Sequence, residues 1–251
     1  MNATREKSVR NVTLKTKDEH RIEAEHHEGG FKKAVMLAHG FYNAKDTYLF
    51  QQIAKVIALH FDVVSFDFRG HGKSSGLFTW TAKECVDLQA VIAYVKSCGY
   101  EGIGLMGFSL GAAISLIEAA QNPDVKTVIA VSAPYDFWKI DYHFWKRGMW
   151  DDFLLNLGFK AKGKGVRPSH PWQLKIAPID IVDQISPRGV LFIHGEEDWL
   201  IHPRHSRELY NKAKEPKKLI ILPKLGHAET MFDQQPDLLM NPSLEWFKDK
   251  L

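Results

Sequence analysis

Six short apolar runs recur along the chain: KAVMLAHG (33–40), DVVSFDF (62–68), GIGLMGF (102–108), VKTVIAVSA (125–133), GVLFIHG (189–195) and KKLIILP (217–223). They are near-continuously apolar rather than alternating, as strands buried on both faces are. Helix-like stretches at 47–60, 80–99, 109–121 and 203–214 separate them. Strand and helix in such alternation give a parallel sheet covered by helices. SVRNVTLKTKD and HRIEAEHHE, which come first, alternate apolar with polar residues and predict an antiparallel hairpin at the sheet edge. PSLEWFKDKL, at the end, predicts a closing amphipathic helix. The fold class expected is α/β, a mostly parallel sheet of about eight strands flanked by helices.

Between Pro134 and about Asp180 the alternation stops. This stretch is rich in aromatics, holds eight Lys and Arg against five Asp, and shows no strand. It is too long for an ordinary connection and predicts an inserted element with some helix. Placed after a strand of a parallel sheet, it would lie over the carboxyl ends of the strands, where ligands bind. The expected division is therefore a core in two parts, 1–133 and 181–251, with an inserted cap at 134–180.

With 45% hydrophobic and 25% charged residues and a formal net charge of +3, the chain has neither a nucleic-acid nor a membrane footprint. No apolar run approaches the roughly 18 residues of a membrane span. The first 28 residues lack the apolar stretch of a signal peptide, so a cytoplasmic location is expected and the sequon at Asn11 is read as chance. Cys85 and Cys98 fall in one predicted helix, about 20 Å apart, and cannot pair there.

The chemistry centres on GFSLG, 107–111, which follows an apolar strand and opens a helix of small residues, AAISLIEAA. That is the strand–turn–helix setting of a nucleophile elbow, in which a sharp turn drives the central residue toward positive φ and neighbouring side chains must be absent. The competing reading makes Ser109 a helix cap.

A serine nucleophile needs a base, and the base needs a carboxylate to hold its tautomer. His227, in KLGHAE, lies just beyond the strand LIILP, and Asp198, in HGEEDW, just beyond GVLFIHG. Both therefore belong to the same sheet edge as Ser109. Glu196, Glu197, His194, His202 and His205 are rivals placed inside a strand or farther along a loop. An oxyanion needs amide donors; the Leu110 N–H and, from the turn after the first apolar run, the Phe41 N–H are the candidates. His39 is read as a turn-stabilising residue.

Taken together, LAHGF (37–41), DFRGHGKSSG (67–76), GFSLG, HGEEDW (194–199) and GHAE (226–229) resemble the α/β-hydrolase superfamily. The likeness is nearest to Hydrolase-4-type esterases and to monoacylglycerol-lipase-like or cinnamoyl-esterase-like enzymes. It implies the α/β-hydrolase fold, with Ser109, Asp198 and His227 as nucleophile, acid and base, Phe41 and Leu110 as the oxyanion hole, and DFRGHGKSSG as a structural turn. The expected activity is cleavage of carboxylic esters through an acyl-enzyme, with no cofactor and no metal. The same triad would also serve amide or aminoacyl, thioester or C–C substrates, and a non-catalytic ligand-binding module is the alternative of another class. The partner expected is a small-molecule ester. Trp138, Trp145 and Trp150 are expected to line the substrate pocket, and Lys160, Lys162, Lys164 and Arg167 to attract an anionic group. Self-association into a homo-oligomer through the aromatics stays open. Activity should fall as pH drops through the usual histidine range, about 6 to 7.

Overall fold

The structure is a computed structural model describing residues 8–251. Residues 1–7, part of the stretch read for a signal peptide and of the first core segment, lie outside the described residues. Eight strands, β1 (Ser8–Lys15), β2 (Arg21–Glu28), β3 (Lys33–Ala38), β4 (Asp62–Phe66), β5 (Gly102–Phe108), β6 (Val125–Val131), β7 (Gly189–Gly195) and β8 (Lys217–Leu222), form one sheet in the order β1-β2-β4-β3-β5-β6-β7-β8. β2 pairs antiparallel with both β1 and β4; every other pairing is parallel. The strand order reverses at β3. The chain passes from β3 to β4 on one side and returns to β5 on the other, which opens a crevice at the carboxyl ends of β3 and β5.

The helices are α1 (Tyr48–Ile57), α2 (Glu84–Ser97), α3 (Leu110–Gln121), α4 (Gly148–Leu155), α5 (Pro178–Ile181), α6 (Arg204–Lys212), α7 (Thr230–Gln234) and α8 (Pro236–Lys250). Because successive strand residues point to opposite faces, the sheet supports two cores. Met36, Leu105 and Phe192 pack with Leu88, Leu116 and Leu209 of α2, α3 and α6. Leu37, Met106 and Ile193 pack on the other side with Phe50 of α1 and Phe247 of α8.

Two helix starts differ from the sequence expectation. α2 begins at Glu84 rather than 80, because Trp80 and Thr81 hold positive φ and Glu84 accepts from the Thr79 amide and hydroxyl. α8 begins at Pro236, six residues before Pro242, which sits inside it. The carbonyl left without a donor there is that of Leu238, which lies at the surface and can be hydrated.

Between β6 and β7 the chain forms α4, α5 and short 3₁₀ turns at Phe137–Lys139, Gly158–Ala161 and Val182–Ile185, with no strand among the described residues. Two isolated bridges, His71 with Val166 and Phe78 with Pro168, tie it to the loop after β4. The boundary expected at 180 falls within α5, whose Ile179 amide donates to Tyr135 O.

Candidate active site

Ser109 is the first residue after β5 and adopts φ 53° and ψ −123°, with α3 starting at the next residue. Glycines permit this turn. A Cβ on Gly107 would stand 2.5 Å from Ser115 Oγ, and one on Gly111 only 2.2 Å from His39 O, so α3 lies directly against the end of β3. Ser109 occupies the cap position but makes no side-chain cap bond. Its hydroxyl reaches His227 Nε2 at 3.0 Å instead, which disposes of the capping alternative.

The three residues read from separate strand ends converge. His227 Nδ1–H donates to Asp198 Oδ2 at 2.7 Å, leaving Nε2 to accept from the Ser109 hydroxyl. Asp198 is fully buried; its Oδ1 accepts from the amides of Leu200 and Ile201, at 3.0 and 2.8 Å. The His227 loop is pinned by the Ala228 amide, which donates to Ser132 Oγ at 3.1 Å, and by Thr230, whose hydroxyl and amide both donate to His227 O.

Loop 39–42, after β3, closes over the serine; a Cβ on Gly40 would stand 3.0 Å from Ser109 Cβ. The Phe41 and Leu110 amides, both beside Ser109, donate to no protein group among the described residues. His39 holds the turn as expected: Nε2 accepts from the Phe68 amide at 3.1 Å and Nδ1–H donates to Gly40 O at 2.8 Å.

Two of the rival histidines have partners of their own. His194, inside β7, contacts Ser206 Oγ through Nδ1 at 2.6 Å and donates through Nε2 to Ile201 O at 2.7 Å, with Asp198 Oδ2 at 3.2 Å. It buttresses the carboxylate rather than approaching the serine. His205 Nδ1 accepts from the Tyr135 amide at 3.1 Å.

Charge is unevenly placed around the imidazole. Burial opposes charging His227, but the Asp198 charge and hydrogen bond, with Asp152 and Glu229 behind them, outweigh it and raise the ring to about 9. This is above the range of 6 to 7 expected from the sequence. Burial likewise opposes ionising Asp198, yet the His227 charge and the hydrogen bonds from His194 and His227 hold its carboxyl well below the usual carboxylate range. Burial pushes Asp152, on α4, up to about 7.

A cavity of about 160 Å³ opens at Ser109 and His227, and its lining includes the polar side chains of Asn43, Asp152, Lys164 and Glu229. Asn43 Nδ2 donates to Glu229 Oε1 at 2.6 Å, where Lys164 Nζ also stands at 3.5 Å, and Trp199 Nε1 donates to Asp152. A second cavity, of about 190 Å³, lies beside Leu110 and is walled by Phe137, Trp138, Ile176 and Pro178.

Of the three expected pocket tryptophans, Trp138 alone lines one of these cavities. Trp145 and Trp150 are 79% and 61% exposed and line neither, because their helical and loop faces turn outward. The expected cationic cluster is also dispersed. Lys160 pairs with Asp233, Arg167 donates to Ser74 O and Gly72 O, and Lys164 enters the cavity to meet Asn156 and Glu229. Sequence reading passed over Asp152, Asn43 and Glu229 as site residues. Glu229 stood in the GHAE motif, but Asp152 carried no signal, being one acid in an aromatic stretch. Among the described residues no three His, Cys, Asp or Glu side chains are gathered as metal ligands, and no helix is long and apolar enough to cross a membrane.

Residues 33–167 match the family model described as the alpha/beta hydrolase fold. YfhR of Escherichia coli K12, an uncharacterised protein, is 27% identical over 197 residues, which are 76% of this chain and 62% of YfhR. The matched stretch thus spans less than two thirds of that relative. Among solved structures, the Pyrococcus furiosus esterase Pf2001 superposes with a TM-score of 0.78 at 21% identity, covering 97% of this chain and 93% of that one. Est1E of Butyrivibrio proteoclasticus, with ferulic acid bound, superposes at 0.70 and 19% identity, over 95% and 99% of the two chains.

Proposed function

Because the chain belongs to the alpha/beta hydrolase fold family, we propose that it is a serine hydrolase that cleaves carboxylic esters. The observation that carries this reading is the continuous relay from Ser109 Oγ to His227 Nε2 at 3.0 Å and from His227 Nδ1 to Asp198 Oδ2 at 2.7 Å. It lies beneath two unengaged amides at the sheet's switch point. The esterase activity named for the Pyrococcus furiosus neighbour agrees with it.

In the proposed cycle, Ser109 Oγ attacks the ester carbonyl as its proton passes to His227 Nε2. The Phe41 and Leu110 amides take the oxyanion, where fixed dipoles stabilise developing charge. His227 then hands the proton to the leaving alkoxide, and an acyl group stays on Ser109. Water, deprotonated by His227, attacks the acyl carbon and releases the acid. Asp198 holds the tautomer and stabilises the imidazolium. Segment 134–180 acts as the cap that walls both cavities, with Trp138 in the one beside Leu110.

Ser109→Ala should remain folded and lose about 10⁴ or more in kcat on any ester the wild type turns over. A fluorophosphonate should label wild type stoichiometrically and the variant not at all. Turnover retained by the variant would refute the assignment. Comparing kcat/KM for ester, thioester and aminoacyl substrates with one acyl group tests the bond cleaved.

A further inference from the structure

Helix α4 wears its apolar stripe on the outside. Trp150, Phe153 and Leu154, continued by Leu157 just past the helix, recur at i, i+3, i+4 and i+7, the spacing by which a surface helix buries one face. Here those side chains are 53–63% exposed. The helix buries Gly148 and Leu155 and turns its two carboxylates inward beside them: Asp152 lines the Ser109 cavity, and Asp151 accepts from Gln234 Nε2 at 2.7 Å. An apolar stripe facing water is unfavourable unless something covers it.

The rest of the segment follows the same pattern. Trp172 and Leu174 are 78% and 99% exposed, and residues 134–180 supply twelve of the nineteen large hydrophobic side chains exposed among the described residues. The basic excess of the whole chain, +3, equals the excess of eight Lys and Arg over five Asp in this one segment. Arg147 and Lys162, both exposed, make no side-chain hydrogen bond or ion pair among the described residues.

We infer that this face docks on an anionic lipid surface, with the α4 stripe in the headgroup region and the free cations of the segment against lipid phosphates. Tryptophan and tyrosine favour that boundary, since one end of the ring is apolar and the other can hydrogen-bond. A helix lies in it when an apolar stripe is accompanied by basic residues. Each cation near an anionic surface strengthens binding about fivefold. A second copy of the chain is a poorer cover, because an isologous contact would bring two positively charged faces together. The same segment walls the Ser109 cavity, so docking would set the cavity beside the lipid. The docking itself does not depend on the reaction proposed for Ser109.

Flotation of the full chain with vesicles tests this. The protein should float with vesicles of phosphatidylcholine and phosphatidylglycerol, be released at high salt, and stay behind with phosphatidylcholine alone. Phe153→Ser with Leu154→Ser should keep the circular dichroism spectrum and lose at least about tenfold in vesicle affinity. Arg147→Glu with Lys162→Glu, which disturbs no packing, should also weaken binding by at least about tenfold. Absence of flotation, equal binding to both vesicle types, or variants that bind like wild type would overturn the inference. So would light scattering that shows a dimer which Phe153→Ser with Leu154→Ser dissociates, since the stripe would then belong to a second copy. Flotation needs no turnover, so it decides the docking even if the fluorophosphonate experiment fails.

Discussion

Ser109 holds a sparsely populated backbone conformation that costs a non-glycine residue about 1–3 kcal/mol, and its surroundings compel it. The Ser109 amide is fixed to Val131 O at 2.8 Å while α3 begins one residue later against His39. The hydroxyl is thereby held where His227 meets it. With the imidazole raised to about 9, most of it is protonated at neutral pH and cannot accept the serine proton. The kcat/KM for a water-soluble ester should therefore keep rising with pH toward 9 instead of levelling above the usual histidine range. Asp152→Asn removes a negative charge that favours the imidazolium, so the acid limb should move to lower pH. A pH profile of both proteins checks this, and a limb that does not move would remove Asp152 from the account of His227.

Among the elements, the loop between β4 and α2 shows what the DFRGHGKSSG turn holds together. Arg69, 1% exposed, donates to Asp87 through Nε and Nη2 and to Asp18 through Nη1 and Nη2, at 2.7–3.1 Å. Its guanidinium thus ties α2 to the β1–β2 hairpin. Arg69→Ala would leave Asp87 buried and unpaired, and such losses cost about 3–5 kcal/mol; urea unfolding should show a loss of that size. Helix α3 has as little tolerance. Gly111→Ala places a methyl 2.2 Å from a carbonyl oxygen, so α3 must move off β3, and a loss of about 1–3 kcal/mol or more is expected from the same measurement.

At the scale of the whole molecule, site and stability are linked. His227 and Asp152 both have folded-state values raised above their ordinary ones, from 6.5 to about 9 and from 3.8 to about 7. A group raised in this way favours the folded state below its ordinary value and loses that contribution as pH climbs through the folded one. The melting temperature should consequently fall between about pH 6.5 and 9, and His227→Gln should flatten that slope. Thermal scans across this interval provide the check. An unchanged slope in the variant would place the pH dependence elsewhere.

The architecture was legible because its signals are local. Continuous apolar runs, the helices between them and GFSLG, HGEEDW and GHAE at run ends are read from neighbouring residues, and a parallel sheet brings all its carboxyl ends to one edge. That reasoning placed Ser109, Asp198 and His227 at one sheet edge without coordinates. It could not say that α8 starts at Pro236, since a helical proline is tolerated only where the orphaned carbonyl meets water. Nor could it orient segment 134–180. Spacing alone shows that Trp150, Phe153, Leu154 and Leu157 share a face, but which face meets the core depends on what the rest of the fold offers it. Trp199 Nε1 and Gln234 Nε2 offer hydrogen bonds, which drew Asp152 and Asp151 inward and left the apolar stripe in water. The pairing of Lys164 with Glu229 and the raised His227 are of the same kind, products of side chains distant in sequence meeting where water is excluded.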